Sequence, residues 1–257
     1  MKILLIGDII GNCGVKKVKE VIPEFKKRNN IDFIIANGEN SAEGMGITLK
    51  IFEDLKKAGI DIVTMGNHTW GKKEIFNFID DERIVRPANY PEGVPGVGYR
   101  ILNCNEKKIA VINLIGRVDI AVLSENPFLE ADKILKEIKN KADIIIVDFH
   151  AEATAEKIAM GYYLDGRVTG VFGTHTHVQT ADEKILEKGT AYITDIGMTG
   201  PEKSIIGMEV SASIKRFLTT LPERYKVSED KKVNLEGAIL EINDETCRVE
   251  KIYRIKK

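Results

Sequence analysis

The chain of 257 residues is poor in cysteine, histidine and tryptophan, and it carries no long apolar run. Its three cysteines, Cys13, Cys104 and Cys247, are odd in number and far apart, which excludes a disulfide framework and a thiolate zinc site. That usage suits a reducing cytoplasm, the expected compartment. No stretch approaches the ~20 apolar residues that span a bilayer. Met1-Lys2 runs straight into a strand, so no signal peptide is expected. Neither sign of charge is in excess: 38 basic and 39 acidic residues give a formal net charge of −1. With the two signs interspersed there is no basic field for duplex nucleic acid or a membrane surface, and a small anionic substrate has to be held by a local site.

What is present is an apolar content of 43%, enough for a sizeable core, over a length that suits one α/β domain spanning residues 1–257. Lys2–Ile6, Asp32–Ala36 and Asp61–Met65 read as buried strands, separated by helices over Val15–Arg28 and Leu49–Ala58. Thr48 and Gly59 fit the caps of the second helix. This alternation implies right-handed crossovers and parallel pairing. Lys72–Phe78 reads as a short helix and the proline-rich Arg86–Gly98 as an irregular loop. A hairpin over Tyr99–Leu102 and Lys108–Leu114 follows, then helices at Leu129–Lys139 and Thr154–Tyr163 with strands at Asp143–Val147 and Val168–Phe172. Short strands at Glu183–Leu186 and Ala191–Thr194, an amphipathic helix at Ser211–Leu221 and a hairpin over Leu235–Ile242 and Thr246–Ile255 complete a mixed α/β sheet protein.

All four histidines sit in compact polar motifs at the ends of apolar runs: Gly66-Asn67-His68, Asp148-Phe149-His150-Ala151-Glu152 and Gly173-Thr174-His175-Thr176-His177. Gly7-Asp8 and Gly38-Glu39-Asn40 lie in the same setting. Singly, each has a structural reading: a turn aspartate, a left-handed asparagine, a hydrogen-bonded core histidine. Jointly, the repetition points to one metal site beyond the carboxyl ends of the strands, where open α/β sheets bind ligands. In an extended segment His175 and His177 face the same way. Carboxylate, amide and imidazole donors without thiolate suit iron, manganese or zinc. Seven candidates, Asp8, Glu39, Asn40, Asn67, His150, His175 and His177, are too many for one open catalytic ion and suit two ions sharing a carboxylate. Cys13, close behind the first motif, reads as a small loop residue.

The order of these motifs resembles the calcineurin-like metallophosphoesterase superfamily. That superfamily usually has Asp-x-His first, where this chain has Ile10, and an Asp in the second motif, where it has Glu39 followed by Asn40. Both departures match one branch, the YmdB-like phosphodiesterases of bacteria. The likeness extends through Asn37–Ala42, Met65–Trp70, Arg86–Asn89, Asp148–Thr154, Gly173–Asp182 and Asp195–Pro201, and so covers nearly the whole chain. It implies a metallophosphoesterase-type sandwich of two mixed β-sheets flanked by helices. It implies that Asp8, Asn40 and His177 hold one metal, that Asn67, His150 and His175 hold the other, and that Glu39 bridges, with Asn40 in place of the absent histidine. Iron or manganese is implied, zinc being the further option from the donor set. So is hydrolysis of small phosphodiesters, 2',3'-cyclic and also 3',5'-cyclic nucleotides among them, by attack of a metal-bound hydroxide. His68 is the histidine left over. It is read as the acid that protonates the leaving group, or else as a residue that orients a ligand. Alternatives on the same residues are a phosphomonoesterase or phosphoprotein phosphatase, and a metal-dependent regulatory binding protein with little turnover. Nothing in the residues speaks for or against a homo-oligomer. Thr69, Trp70, Asn89, Arg117, Arg167 and Thr199 lie in motif loops where a substrate contact or a packing role is open. One stretch, Val118–Ser124, departs from the family, and it bears on specificity if it borders the pocket.

Overall fold

Strand β1 (Lys2–Ile6) is apolar at consecutive positions because both of its faces are covered. Side chains alternate across a strand. Leu4 and Ile6 therefore enter one core with the helices, while Ile3 and Leu5 enter a second core between two sheets. The computed structural model describes residues 1–257. Its first sheet runs in the spatial order β2 (Asp8–Ile9), β12 (Met198–Pro201), β13 (Val233–Ile242), β1, β3 (Phe33–Asn37), β4 (Ile62–Thr64) and β5 (Ile84–Val85). Strand β14 (Val249–Lys256) also pairs with β13. The second sheet runs β10 (Lys184–Ile185), β11 (Ala191–Ile193), β9 (Gly170–Thr174), β8 (Ile144–His150), β7 (Lys107–Ile115) and β6 (Tyr99–Cys104).

Both sheets are mixed. β1, β3, β4 and β5 pair in parallel, as do β7, β8, β9 and β11, while β13 and β6 pair antiparallel with their neighbours. Helices α1 (Gly11–Asn29) and α2 (Leu49–Ala58) pack Val15, Val18, Ile22, Phe52 and Leu55 against the outer face of the first sheet. Helices α3 (Pro127–Glu137) and α4 (Thr154–Leu164) pack Ala131, Ile134, Met160 and Leu164 against the outer face of the second. Ile3, Leu5, Phe33, Val111, Ile146 and Phe172 fill the space between the sheets. The result is the two-sheet sandwich flanked by helices that the resemblance implied. No helix is long and apolar enough to cross a membrane.

The cap expectations hold for α2: Thr48 accepts from the Ile51 backbone N–H, and Gly59 takes a left-handed φ of 103°. Cys13 is different. It lies inside α1, which starts four residues before the expected Val15, because Gly11 takes a positive φ and turns the chain into the helix immediately after Ile10. The short helix at Lys72–Phe78 is a 3₁₀ turn over Lys73–Asn77. Strands β2, β5 and β12 had no counterpart in the sequence reading, since two to four residues are too few to show a period.

Candidate metal centre

Five parallel strands end in polar residues. Asp8 follows β1, Glu39 and Asn40 follow β3, Asn67 and His68 follow β4, His150 closes β8, and His175 and His177 follow β9. Backbone close approach makes room for them. A Cβ on Gly66 would stand 2.4 Å from His150 Nε2 and 2.5 Å from Glu39 Oε2, so only glycine lets the β4 loop lie on this floor.

All seven residues expected to hold metal meet here, in two groups joined by Glu39. On one side His150 Nε2 lies 2.8 Å from Asn67 Oδ1, 3.0 Å from Glu39 Oε1 and 3.0 Å from His175 Nδ1. On the other, Asn40 Nδ2 lies 3.4 Å from Asp8 Oδ1, 3.2 Å from His177 Nε2 and 3.5 Å from the same Glu39 Oε1. His177 Nε2 is 3.5 Å from Asp8 Oδ1. His175 and His177 do not reach the site from an extended segment. Both take positive φ, 100° and 63°, so the chain hooks back and sends one ring to each group instead of two rings to one side.

The outward nitrogen of each ring is committed. Thr174 Oγ1 donates to Asp148 Oδ1 at 2.7 Å, so it accepts from His150 Nδ1 at 2.9 Å. His175 Nε2 lies 3.2 Å from the Glu152 carboxylate, and His177 Nδ1 donates to the Ile206 carbonyl at 2.9 Å. In the neutral rings this leaves His150 Nε2, His175 Nδ1 and His177 Nε2 bare and facing inward. In the metal-free site burial opposes charge on His150, but the Glu39 carboxylate beside it raises its pKa, and Nε2–H then donates into the acceptors around it. Once that proton leaves, two bare nitrogens, an amide oxygen and a carboxylate oxygen converge around His150 with no donor among them, a set that calls for a positive charge at its centre. The residues around His150 therefore fit a divalent cation, while in the other group it is the Asn40 Nδ2 amide that faces Asp8, Glu39 and His177.

Protonation in the metal-free site follows the same crowding. Burial alone would raise the Asp8 and Glu39 carboxyls. His177 beside Asp8, and His150 beside Glu39, outweigh it and hold both below the usual carboxylate range. Burial and the neighbouring His150 push His175 down to about 3. Burial opposes charge on His177, but Asp8 lifts it to about 9. Two buried anions under a cluster of imidazoles are the electrostatics of a cation site.

A cavity of about 420 Å³ opens above this floor. Glu39, Asn40, Asn67, His68, His175 and His177 line its base, while Ile205, Ile206, Met208 and, from the region of α5 (Val210–Thr219), Phe217 and Tyr225 form its apolar wall. The divergent stretch Val118–Ser124 does not line this cavity, and neither do Thr69, Trp70, Asn89, Arg117, Arg167 or Thr199. Trp70 stacks on Phe76 with ring centroids 5.4 Å apart, and Asn89 donates to the Ile115 and Glu125 carbonyls, both packing roles. His68 is at the cavity with Nδ1 2.7 Å from Asn40 Oδ1, and its backbone N–H donates to Glu39 Oε2 at 2.8 Å. Of the groups around the rings, Thr174, Asp148 and Glu152 were named in the sequence only as members of the histidine motifs, without a role, and the Ile206 carbonyl was not singled out.

This two-sheet sandwich, with a mixed carboxylate, amide and imidazole site at the strand ends, has the architecture of the metallophosphoesterases. The chain belongs to the YmdB-like protein family, whose description matches residues 4–255. It is 53% identical over 256 residues to a Bacillus subtilis (strain 168) protein named 2',3'-cyclic-nucleotide 2'-phosphodiesterase, covering 99% of this chain and 96% of that one. A Mycoplasma pneumoniae structure described as a novel phosphatase superposes with a TM-score of 0.94 at 38% identity, covering 100% of this chain and 93% of that one. A hypothetical protein from Thermus thermophilus superposes equally well, TM-score 0.94 at 39% identity, covering 100% and 99%.

Proposed function

We propose that this chain is a metal-dependent phosphodiesterase that hydrolyses small phosphodiesters, 2',3'-cyclic nucleotides foremost and 3',5'-cyclic nucleotides second. The observation that carries this reading is the place of Glu39 Oε1, 3.0 Å from His150 Nε2 in one donor group and 3.5 Å from Asn40 Nδ2 in the other. In this reading Asp8, Asn40 and His177 hold one cation, Asn67, His150 and His175 hold a second, and the Glu39 carboxylate serves both. The donor set suits iron or manganese, with zinc the further option. When bound, such a pair lowers the pKa of water and neutralises phosphodiester oxygens.

The remaining chemistry belongs to the chain. His68 is the one histidine whose ring is outside both donor groups, and it stands at the cavity base. In its charged form Nδ1–H is held by Asn40 Oδ1, which leaves Nε2–H free for the departing oxygen of the diester. An amide oxygen has two lone pairs. Asn40 would offer the second to a cation, giving up its Nδ2 contacts to Asp8 and His177. The support for cyclic nucleotides over other diesters is the name of the Bacillus subtilis relative together with the apolar wall beside the site.

The test is hydrolysis of 2',3'-cyclic AMP, 3',5'-cyclic AMP, bis(p-nitrophenyl) phosphate and p-nitrophenyl phosphate with added Mn²⁺ and with chelator. Turnover of the diesters that chelator abolishes and Mn²⁺ restores is expected. Faster turnover of the monoester would make the chain a phosphomonoesterase instead, and turnover that survives chelation would remove metal from the reading.

A further inference from the structure

Lys157 of α4 and Asp195, just after β11, form an ion pair whose side chains are each only 1% exposed. Burying two charges costs several kcal/mol of desolvation, and an apolar pair would serve packing at least as well. Neither residue lines the cavity. The pair is therefore expensive where it stands and does not touch the chemistry.

What it does touch is the backbone on both sides of His175. Lys157 Nζ donates to Asp195 Oδ2 at 2.7 Å and to the Thr174 carbonyl at 2.8 Å. Asp195 Oδ2 also accepts from the Thr176 backbone N–H at 3.2 Å and from the Thr176 hydroxyl at 2.7 Å. The residues before and after His175 are thus clamped to one buried pair, while His175 itself holds a φ of 100° that side chains other than glycine rarely adopt. The other carboxylate oxygen reaches further. Asp195 Oδ1 accepts from the Gly197 N–H at 2.9 Å, and the Gly197 carbonyl accepts from the Asp8 N–H at 3.1 Å. One carboxylate therefore connects the backbone of Asp8 to the backbone hook that carries His175 and His177.

We infer that Lys157 and Asp195 are positioning residues that hold the His175–His177 hook in its strained, cation-ready shape and fix its register against Asp8. This rests on the reading of the site as a metal centre. The buried pair supplies the fixed charges that make a two-histidine hook favourable in the absence of metal, so that the rings need no rearrangement when cation enters.

The test separates positioning from simple stability. Lys157→Met alone strands a buried carboxylate, so the variant of choice is the double Lys157→Met/Asp195→Asn, which removes both charges and nearly keeps shape. Thr176→Val, which removes only the hydroxyl contact, is the milder second variant. Each chelator-stripped protein is melted and then titrated with Mn²⁺ by calorimetry. We expect the double variant to stay folded and to bind Mn²⁺ about 10- to 100-fold more weakly, the range seen when groups that orient metal ligands are lost. Thr176→Val should weaken binding several-fold, with the melt lowered only by what one lost hydrogen bond costs. If the folded variants bind Mn²⁺ as the wild type does, the pair is a stability element only and the inference is overturned. Should the double variant fail to fold, Thr176→Val decides alone. A wild type that binds no Mn²⁺ overturns the metal-centre reading, and this inference with it.

Discussion

The Thr174 hydroxyl stands 2.9 Å from His150 Nδ1, and because it spends its own proton on Asp148 Oδ1 it can only accept from the ring. One hydroxyl thereby sets the tautomer of a fully buried histidine and turns Nε2 toward Glu39 and Asn67. The same logic recurs at His177 with the Ile206 carbonyl, and the Glu152 carboxylate stands 3.2 Å from the outward nitrogen of His175. The centre is built as much from these outward contacts as from the seven donors.

Thr174→Val should weaken Mn²⁺ binding about 10- to 100-fold, because the His150 ring is then free to take the other tautomer. It also leaves Asp148 Oδ1 without a partner and His150 Nδ1 with only the 3.5 Å contact to the Asn37 amide, a loss of about 1–3 kcal/mol in folding stability. Calorimetric titration and urea melts of the chelated protein read the two effects apart. Unchanged affinity would show that the hydroxyl does not govern the ring.

Glu39→Gln should lose both cation binding and turnover. The carboxylate faces both donor groups, and its charge offsets the repulsion of two nearby cations, which a neutral amide cannot do. Metal analysis after reloading with Mn²⁺, beside diester turnover, tests this. A variant that holds two ions and keeps the wild-type rate would deny Glu39 the bridging role.

His68→Ala should keep the bound metal and slow hydrolysis of cyclic nucleotides about 10²–10⁴-fold, the range of a lost general acid. The loss should shrink for bis(p-nitrophenyl) phosphate, since p-nitrophenolate departs without a proton. Equal slowing of both substrates together with metal loss would assign His68 to ligand orientation.

In the chelated protein His177 contributes a distinct pH dependence. Its folded pKa is raised to about 9 by Asp8 against an ordinary value of 6.5. A raised value means stability that is complete below about pH 6.5 and lost as pH climbs through about 9, with an amplitude on the order of 3 kcal/mol. Urea midpoints at pH 6 and pH 9.5 should therefore converge more closely in His177→Gln than in the wild type. Identical pH profiles for the two proteins would show that the Asp8–His177 contact is not an ion pair without metal.

Much of this was legible in the residues alone. The runs Ile3–Ile6 and Phe33–Ala36 are apolar at every position because parallel strands inside a sandwich bury both faces, and that pattern survives in one dimension. The seven donors were legible for a related reason: each sits where such a run stops, and a polar side chain at the end of a buried strand has few other uses. The hook was not. Extended geometry was the natural expectation for His175-Thr176-His177, and only the tertiary contacts of Thr174 and Thr176 with Lys157 and Asp195 force the positive φ values that split the two rings between the two groups. Short strands such as β2 and β12 escaped for want of length, although β12 lies beside Asp8. The apolar wall of Ile206, Met208, Phe217 and Tyr225 lies 29 to 48 residues beyond His177 and carries no chemical signature of its own. Chemical identity is a local property of the chain, so the sequence by itself determined which candidate donor atoms the site contains. Which nitrogen faces inward, and which surface stands over the site, depend on contacts between distant segments, and only the tertiary structure decided those.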